Sequence, residues 1–249
     1  MKKRSYKFYI RKSHRYLGIF IGVQFLFWTL GGLYFSWTDI NEIRGDLLRK
    51  ETPEIDLASG LISPDRVLEE IKTSGGVAKV ENMRVVQVFG LPFYEFTVRG
   101  SDGNKRMMLA DVTRGKIRPP VSKVEARQIA DQSLAKPLNF THSEYLTKEN
   151  VSRHHEYREK PLPAWAITYE NGLTVYLGAE NGQIEAFRTN KWRVFDFLWM
   201  MHTMDFAGRD NINNYLLRGF SILGIATILS GFALFFASSR LLKRKRKTS

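Results

Sequence analysis

Two stretches of this chain carry no charged side chain over a length that crosses a lipid bilayer, and they constrain the fold more than anything else in the sequence. YLGIFIGVQFLFWTLGGLYFSWT runs from Tyr16 to Thr38 (23 residues) and GFSILGIATILSGFALFFASS from Gly219 to Ser239 (21 residues). About 20 apolar residues in α-helix cover the hydrocarbon thickness. Hydrocarbon cannot satisfy backbone N–H and C=O groups, so each run is expected as a helix. Tyr16 marks the inner interface of the first span, Tyr34 and Trp37 its outer one. That run is longer than the apolar part of a secretion signal and no A-x-A-like site follows it, so it is expected to be retained.

The charges agree with this layout. Lys2, Lys3, Arg4, Lys7, Arg11, Lys12 and Arg15 precede the first run; Arg240, Lys243, Arg244, Lys245, Arg246 and Lys247 follow the second; neither end has an acid. These account for the whole net charge of +13, and the remaining 25 Lys and Arg balance the 25 Asp and Glu between the spans. Basic residues abutting apolar runs place both termini in the cytosol and the middle outside, which implies an integral membrane protein whose first partner is the lipid bilayer. Nucleic-acid binding is not expected, since that function spreads its cations along a groove with aromatics among them. The chain has no cysteine, which excludes disulfide staples and thiolate chemistry.

Small residues mark helix faces. Gly18, Gly22, Thr29, Gly32 and Ser36 form a stripe along the first span, and Gly224, Thr227 and Gly231 a shorter one along the second. In lipid, helices associate through packing, and small residues let backbones approach. The first stripe is read as the face of a homodimer or of a contact with a partner membrane subunit.

The middle reads as two copies of one unit, which makes the fold class an α+β membrane protein with two transmembrane helices flanking an extracytoplasmic domain. In the first copy, Pro64 opens a helix, and KVENMRVVQVF, PFYEFTVRG and RMMLADV alternate as strands. In the second, KVEARQIADQSL is the helix and NFTHSEYL, AWAITYE and LTVYLG the strands. Leu91 to Val98 aligns with Leu162 to Tyr169, and Asp111 to Ile117 with Gly178 to Ile184. The expected organisation is a basic tail to 15, a span at 16–38, a linker at 39–57, repeats at 58–118 and 119–188, an amphipathic membrane-proximal helix at 189–210, a second span at 211–239 and a basic tail from 240.

Five histidines are the candidates for chemistry. His142, His154 and His155 lie among polar and charged residues and read as solvated; adjacent His154 and His155 would point apart in a strand. His202 follows the spacing of Trp192, Phe195, Trp199 and Phe206 on one helix face, with Met200, Met201 and Met204 nearby. That is either a haem environment, apolar walls around one nitrogen ligand, or a buried imidazole satisfied by a carbonyl. His14 stands four residues before Gly18 and eight before Gly22, at the cytosolic end of a surface able to admit a flat ligand or a second helix; a headgroup contact is the other reading. Opposite ends of the bilayer keep His14 and His202 of one chain from sharing an iron, so paired ligation calls for a partner chain. Asp196, Asp205 and Asp210 flank the second site and read as solvated helix-end carboxylates, with partners that orient the imidazole as the other reading. HExxH, GxSxG, phosphate-binding and dinucleotide-binding motifs are absent, so no catalytic residue is assigned.

The segment PLPAWAITYENGLTVYLGAENGQIEAF resembles the PepSY domain, with the first copy a more divergent example. WRVFDFLWMMHTMDFAGRDNINNYLLRGFSILGIATILSGFALFF and SHRYLGIFIGVQFLFWTLGG resemble the two ends of PepSY-associated transmembrane-helix proteins, most specifically at His14 to Gly18 and Trp199 to Thr203. The family includes inner-membrane iron–siderophore reductases that carry haem between transmembrane helices, with more spans than this chain. The resemblance implies haem b held by His14 and His202, with Gly18, Gly22 and Trp199 lining the cofactor, and electron transfer across the membrane toward ferric-siderophore or other iron complexes. It equally accommodates a membrane-anchored PepSY module that binds or restrains peptidases, or a subunit of a larger membrane complex.

Overall fold

The computed structural model describes residues 6–51, 60–73 and 76–238. It divides into two compact units, a helical one built from the segments up to Thr38 and from Val194 onward, and an α+β one from Asp39 to Arg193.

In the helical unit, α1 (Tyr6–Trp37) begins ten residues before the charge-free run, because Lys and Arg continue a helix as readily as apolar residues do. It packs antiparallel against α6 (Tyr215–Ser238): Phe25 meets Gly224 near the middle and His14 meets Ser230 and Gly231 further down. Both helices are apolar with very few buried residues, the pattern of helices that face lipid, and both are long and apolar enough to cross a membrane. A third helix, α5 (Asn190–Thr203), lies from Val194 onward along the C-terminal part of α1, with the Phe195 and Phe35 rings 4.8 Å apart.

The α+β unit opens with the short helix α2 (Ile40–Arg44) and contains two successive halves. In the first, α3 (Pro64–Thr73) precedes an antiparallel sheet ordered β1 (Val77–Val88), β2 (Leu91–Gly100), β3 (Lys105–Asp111). In the second, α4 (Lys123–Gln132) precedes a sheet ordered β4 (Phe140–Leu146), β5 (Ala164–Tyr169), β6 (Thr174–Gly178), β7 (Ile184–Arg188). Ser122 caps α4 in a reciprocal box with Glu125, which satisfies two orphan donors of its first turn.

The aligned segments of the two halves occupy matching places. After β3 and after β6 the chain turns on a left-handed glycine, Gly115 (φ 73°) and Gly182 (φ 61°), each donating 2.8 Å to the carbonyl of the residue four before it. The chain then returns to the sheet, Ile117 opposite Ala110 and Ile184 opposite Leu177. In the second half this return is a full strand, β7, which the sequence reading does not contain.

Successive side chains of a strand point to opposite faces of its sheet, and β6 is buried on both. Tyr94, Phe96 and Val98 of β2 close on Val67 and Ile71 of α3 in one core. A larger core joins α4 and β5–β7 to Val86, Val88 and Leu109 of the first half. Between them sits Glu95, 3% exposed, held by Arg84 Nε at 2.6 Å and Asn181 Nδ2 at 3.0 Å. A buried carboxylate needs such partners, since an unpaired charge there is very costly.

Candidate functional site

His14, Leu17, Ile21, Gln24, Trp28, Gly31 and Phe35 recur along α1 at alternating steps of three and four, and this is its packed stripe. Ile21, Gln24 and Gly31 on it are buried. Its lower part faces α6, where Gly224 and Thr227 are buried, so the shorter small-residue stripe is the one that receives α1. The longer stripe is open: a Cβ built on Gly18, Gly22 or Gly32 meets nothing within 4 Å, and Thr29 and Ser36 are exposed. His14 therefore parts company with Gly18 and Gly22. Steps of four drift by about 40° each around a helix, whereas a seven-residue repeat drifts by only about 20° per heptad.

His14 is half-buried. Its Nδ1 lies 2.8 Å from Ser230 Oγ, and its Cε1 is 3.3 Å from where a Cβ on Gly231 would stand. Ser230 in turn donates to Thr227 O at 2.7 Å, so the serine oxygen is left to accept from the imidazole.

His202 sits at the other end of the stripe, in the last turn of α5. Its ring is enclosed by three aromatic rings: Trp199 nearly parallel at 6.3 Å, Phe35 at 6.0 Å and Trp28 at 6.2 Å. Its Nδ1 is buried and without a hydrogen-bond partner. The helix end that carries it is fastened from α1: Gln24 Nε2 donates 2.7 Å to Met201 O, and Trp28 Nε1 donates 2.9 Å to His202 O. Below it Asp196, 3% exposed, pairs with Arg209, and Asp205 accepts backbone N–H groups of Gly208 at 3.0 Å and Asn211 at 2.9 Å. Asp196 and Asp205 thus serve the chain itself and are not solvated helix-end carboxylates.

Trp28 lies fourteen residues along α1 from His14, about 20 Å at 1.5 Å per residue, so the two histidines of one chain belong to separate sites. Gln24, Trp28, Phe35 and Ser230 were not singled out from the sequence; the seven-residue spacing from His14 was a signal for Trp28 and Phe35, the alternating steps of three and four for Gln24, and nothing in the sequence pointed to Ser230. His142 and His154 are exposed; His155 Nδ1 accepts from Tyr157 N at 3.0 Å and serves a turn. Among the described residues no three His, Asp or Glu side chains converge to hold a bare metal ion.

In the α+β unit, a cleft of about 490 Å³ opens between the halves, lined by Arg49, Lys50, Phe89, Ile129 and Gln183 among others. Comparison with protein families, with curated proteins and with solved structures finds no match for this chain.

Proposed function

We propose that this protein spans the bacterial cytoplasmic membrane with both ends in the cytosol, binds haem b through His14 and His202, and carries electrons outward to ferric-siderophore or other iron complexes. The observation that carries the reading is the His202 niche. An imidazole is held in fixed orientation among three aromatic rings, with a buried ring nitrogen that no group among the described residues satisfies. Leaving such an atom unsatisfied costs about 1–3 kcal/mol. A porphyrin requires apolar walls and an imidazole, so these residues fit the group.

His14 fits as well, in a different way. Ser230 fixes its Nδ1, which leaves Nε2 to ligate and sets the ring's orientation, the task that partners of a metal-bound histidine perform. Bound haem supplies a one-electron iron couple. The chain's part is to orient the two imidazoles, to exclude water with Trp28, Phe35 and Trp199, and to lock the end of α5 through Gln24. Since one chain keeps its histidines in separate sites, bis-histidine ligation uses a second copy, and the open Gly18, Gly22 and Gly32 face of α1 suits a homodimer.

An oxidised-versus-reduced optical spectrum of detergent-purified protein tests the proposal. His14→Ala and His202→Ala are each expected to lose part of the haem absorbance and the double variant all of it, with His154→Ala and His155→Ala unchanged. Protein that takes up no haem when haem is supplied, or a folded double variant with full haem content, overturns it. The open cleft between the halves favours a second reading, a membrane-anchored PepSY-like module that binds a peptide or protein, whose purified protein would be colourless.

A further inference from the structure

Membrane-spanning helices end in water, but the end of α5 is built as though no water reaches it. The last four carbonyls of an α-helix have no partner within it, and at an aqueous end solvent supplies the donors. Here side chains supply three of them: Gln24 Nε2 to Met201 O at 2.7 Å, Trp28 Nε1 to His202 O at 2.9 Å, and Asn214 Nδ2 to Thr203 O at 2.9 Å. Two of the donors come from the middle of α1. Gln24 is the ninth of its 23 charge-free residues. Trp28 lies nine residues inward from Trp37, about 14 Å along the helix, which is within one leaflet of a hydrocarbon core about 30 Å thick.

The loop that follows, from Met204 to Asn214, is tied largely to itself, although Arg209 Nε is buried without a partner among the described residues. Arg209 is paired with the buried Asp196, Asp205 collects three backbone N–H groups, and Asn214 Oδ1 accepts Leu217 N at 2.8 Å at the start of α6. What it leaves on its surface is mixed: Phe206 and Ile212 are exposed beside Asp210 and Asn213. Non-helical backbone survives at membrane depth only when its polar groups are satisfied by protein, and an alternation of bulky apolar and polar side chains is the surface of a segment seated at the headgroup boundary.

We infer that α5 and the Met204–Asn214 loop form a re-entrant segment in the outer leaflet, with the helix end below the headgroups, Phe206 and Ile212 among acyl chains, and Asp210 and Asn213 at the headgroups. The inference rests on the membrane reading above and revises the expected position of α5, from a helix just outside the bilayer to one that dips into it. His202 then lies in the hydrocarbon of the outer leaflet, beneath the extracytoplasmic surface.

Because the chain has no cysteine, single-cysteine variants of the full protein in lipid nanodiscs test this directly. The sites are Phe206→Cys and Ile212→Cys, with Ile225→Cys on the exposed face of α6 as the lipid reference and Glu144→Cys on the exposed side of β4 as the water reference. A charged maleimide is expected to react with Phe206→Cys and Ile212→Cys at least about tenfold more slowly than with Glu144→Cys, since a charged reagent avoids hydrocarbon. Nitroxides there are expected to collide more with oxygen than with a water-soluble nickel chelate. Loop sites as reactive as Glu144→Cys beside a protected Ile225→Cys refute the re-entrant segment alone. Slow labelling without oxygen collisions shows a protein cover and refutes the lipid contact. A reactive Ile225→Cys refutes the membrane reading itself.

Discussion

The fastening of α5 by α1 makes a quantitative demand. Trp28→Phe keeps a ring beside Phe25 and His202 but removes the donor to His202 O; Gln24→Leu keeps the volume of a 6%-exposed side chain but removes the donor to Met201 O. Each change leaves one carbonyl at a helix end without a partner. Where water is excluded, that costs about 1–3 kcal/mol per group, so each variant is expected to lose that much and the pair about 2–5 kcal/mol. Both carbonyls belong to one helix turn, so the two losses need not add, and the double variant is expected to fall short of their sum. The assay is unfolding of the purified protein from mild-detergent micelles by titration with a denaturing detergent, followed by far-UV circular dichroism, with the four proteins run as a cycle. If water stands at the end of α5 it replaces each lost donor, and the losses shrink to a few tenths of a kcal/mol. Losses below about 0.5 kcal/mol in both single variants refute the reasoning.

Two further outcomes are expected. Gly22→Leu points into open space and leaves the α1–α6 pair intact, yet it is expected to weaken self-association in mild detergent; Gly224→Leu, whose new side chain must displace Phe25, is expected to cost about 1–3 kcal/mol within the chain. Cross-linking and unfolding measured side by side separate the two, and a strictly monomeric wild type refutes the first. In the α+β unit, burial raises the pKa of Glu180, and burial together with the neighbouring Glu95 raises that of Glu185 against the pull of Lys160 and Arg84. The folded state then holds protons more tightly than the unfolded one, so these two carboxyls add stability as pH falls toward their unfolded value near 4.5. Asp102 and Asp111, held low by hydrogen bonds from Asn104 and Thr113, work in the opposite sense only at lower pH, below their unfolded value of 3.8. The midpoint of thermal unfolding is therefore expected to rise between about pH 7.5 and pH 5 more in the wild type than in a Glu180→Gln/Glu185→Gln variant, and equal slopes refute it.

The apolar helices and the strands of the two halves were legible because each rests on a pattern that physics repeats: charge-free length for a span, alternation for a strand. The internal alignment was legible to the residue, since Gly115 and Gly182 both turn the chain in the left-handed region where side chains are disfavoured. β7 escaped because five residues with two charges, IEAFR, show too little alternation to stand out. The grouping of His14 with the small residues of α1 was misread for another reason. A small residue permits close approach without requiring it, so glycine spacing marks where a neighbour could lie; Gly224 receives Phe25 while Gly22 receives nothing within the chain. The residues that choose the face are Gln24 and Trp28, whose polar atoms need partners in an apolar setting, and only the structure shows the carbonyls they find. His14 and His202, with Trp199, were singled out by their apolar or small-residue context, but not the serine beside one histidine or Trp28 and Phe35 beside the other.

The core shared by the two halves of the α+β unit has a mechanical consequence. Val86 and Val88 of the first half are packed with Ile129 of α4 and Leu177 of β6, and the short link between the halves is itself pinned, Val121 N to Ala179 O at 2.7 Å and Trp165 Nε1 to Val121 O at 2.8 Å. Such halves have no hinge. A load placed on the outer strand β1 is felt at α4, and the pair moves as one stiff paddle, unlike two beads on a thread.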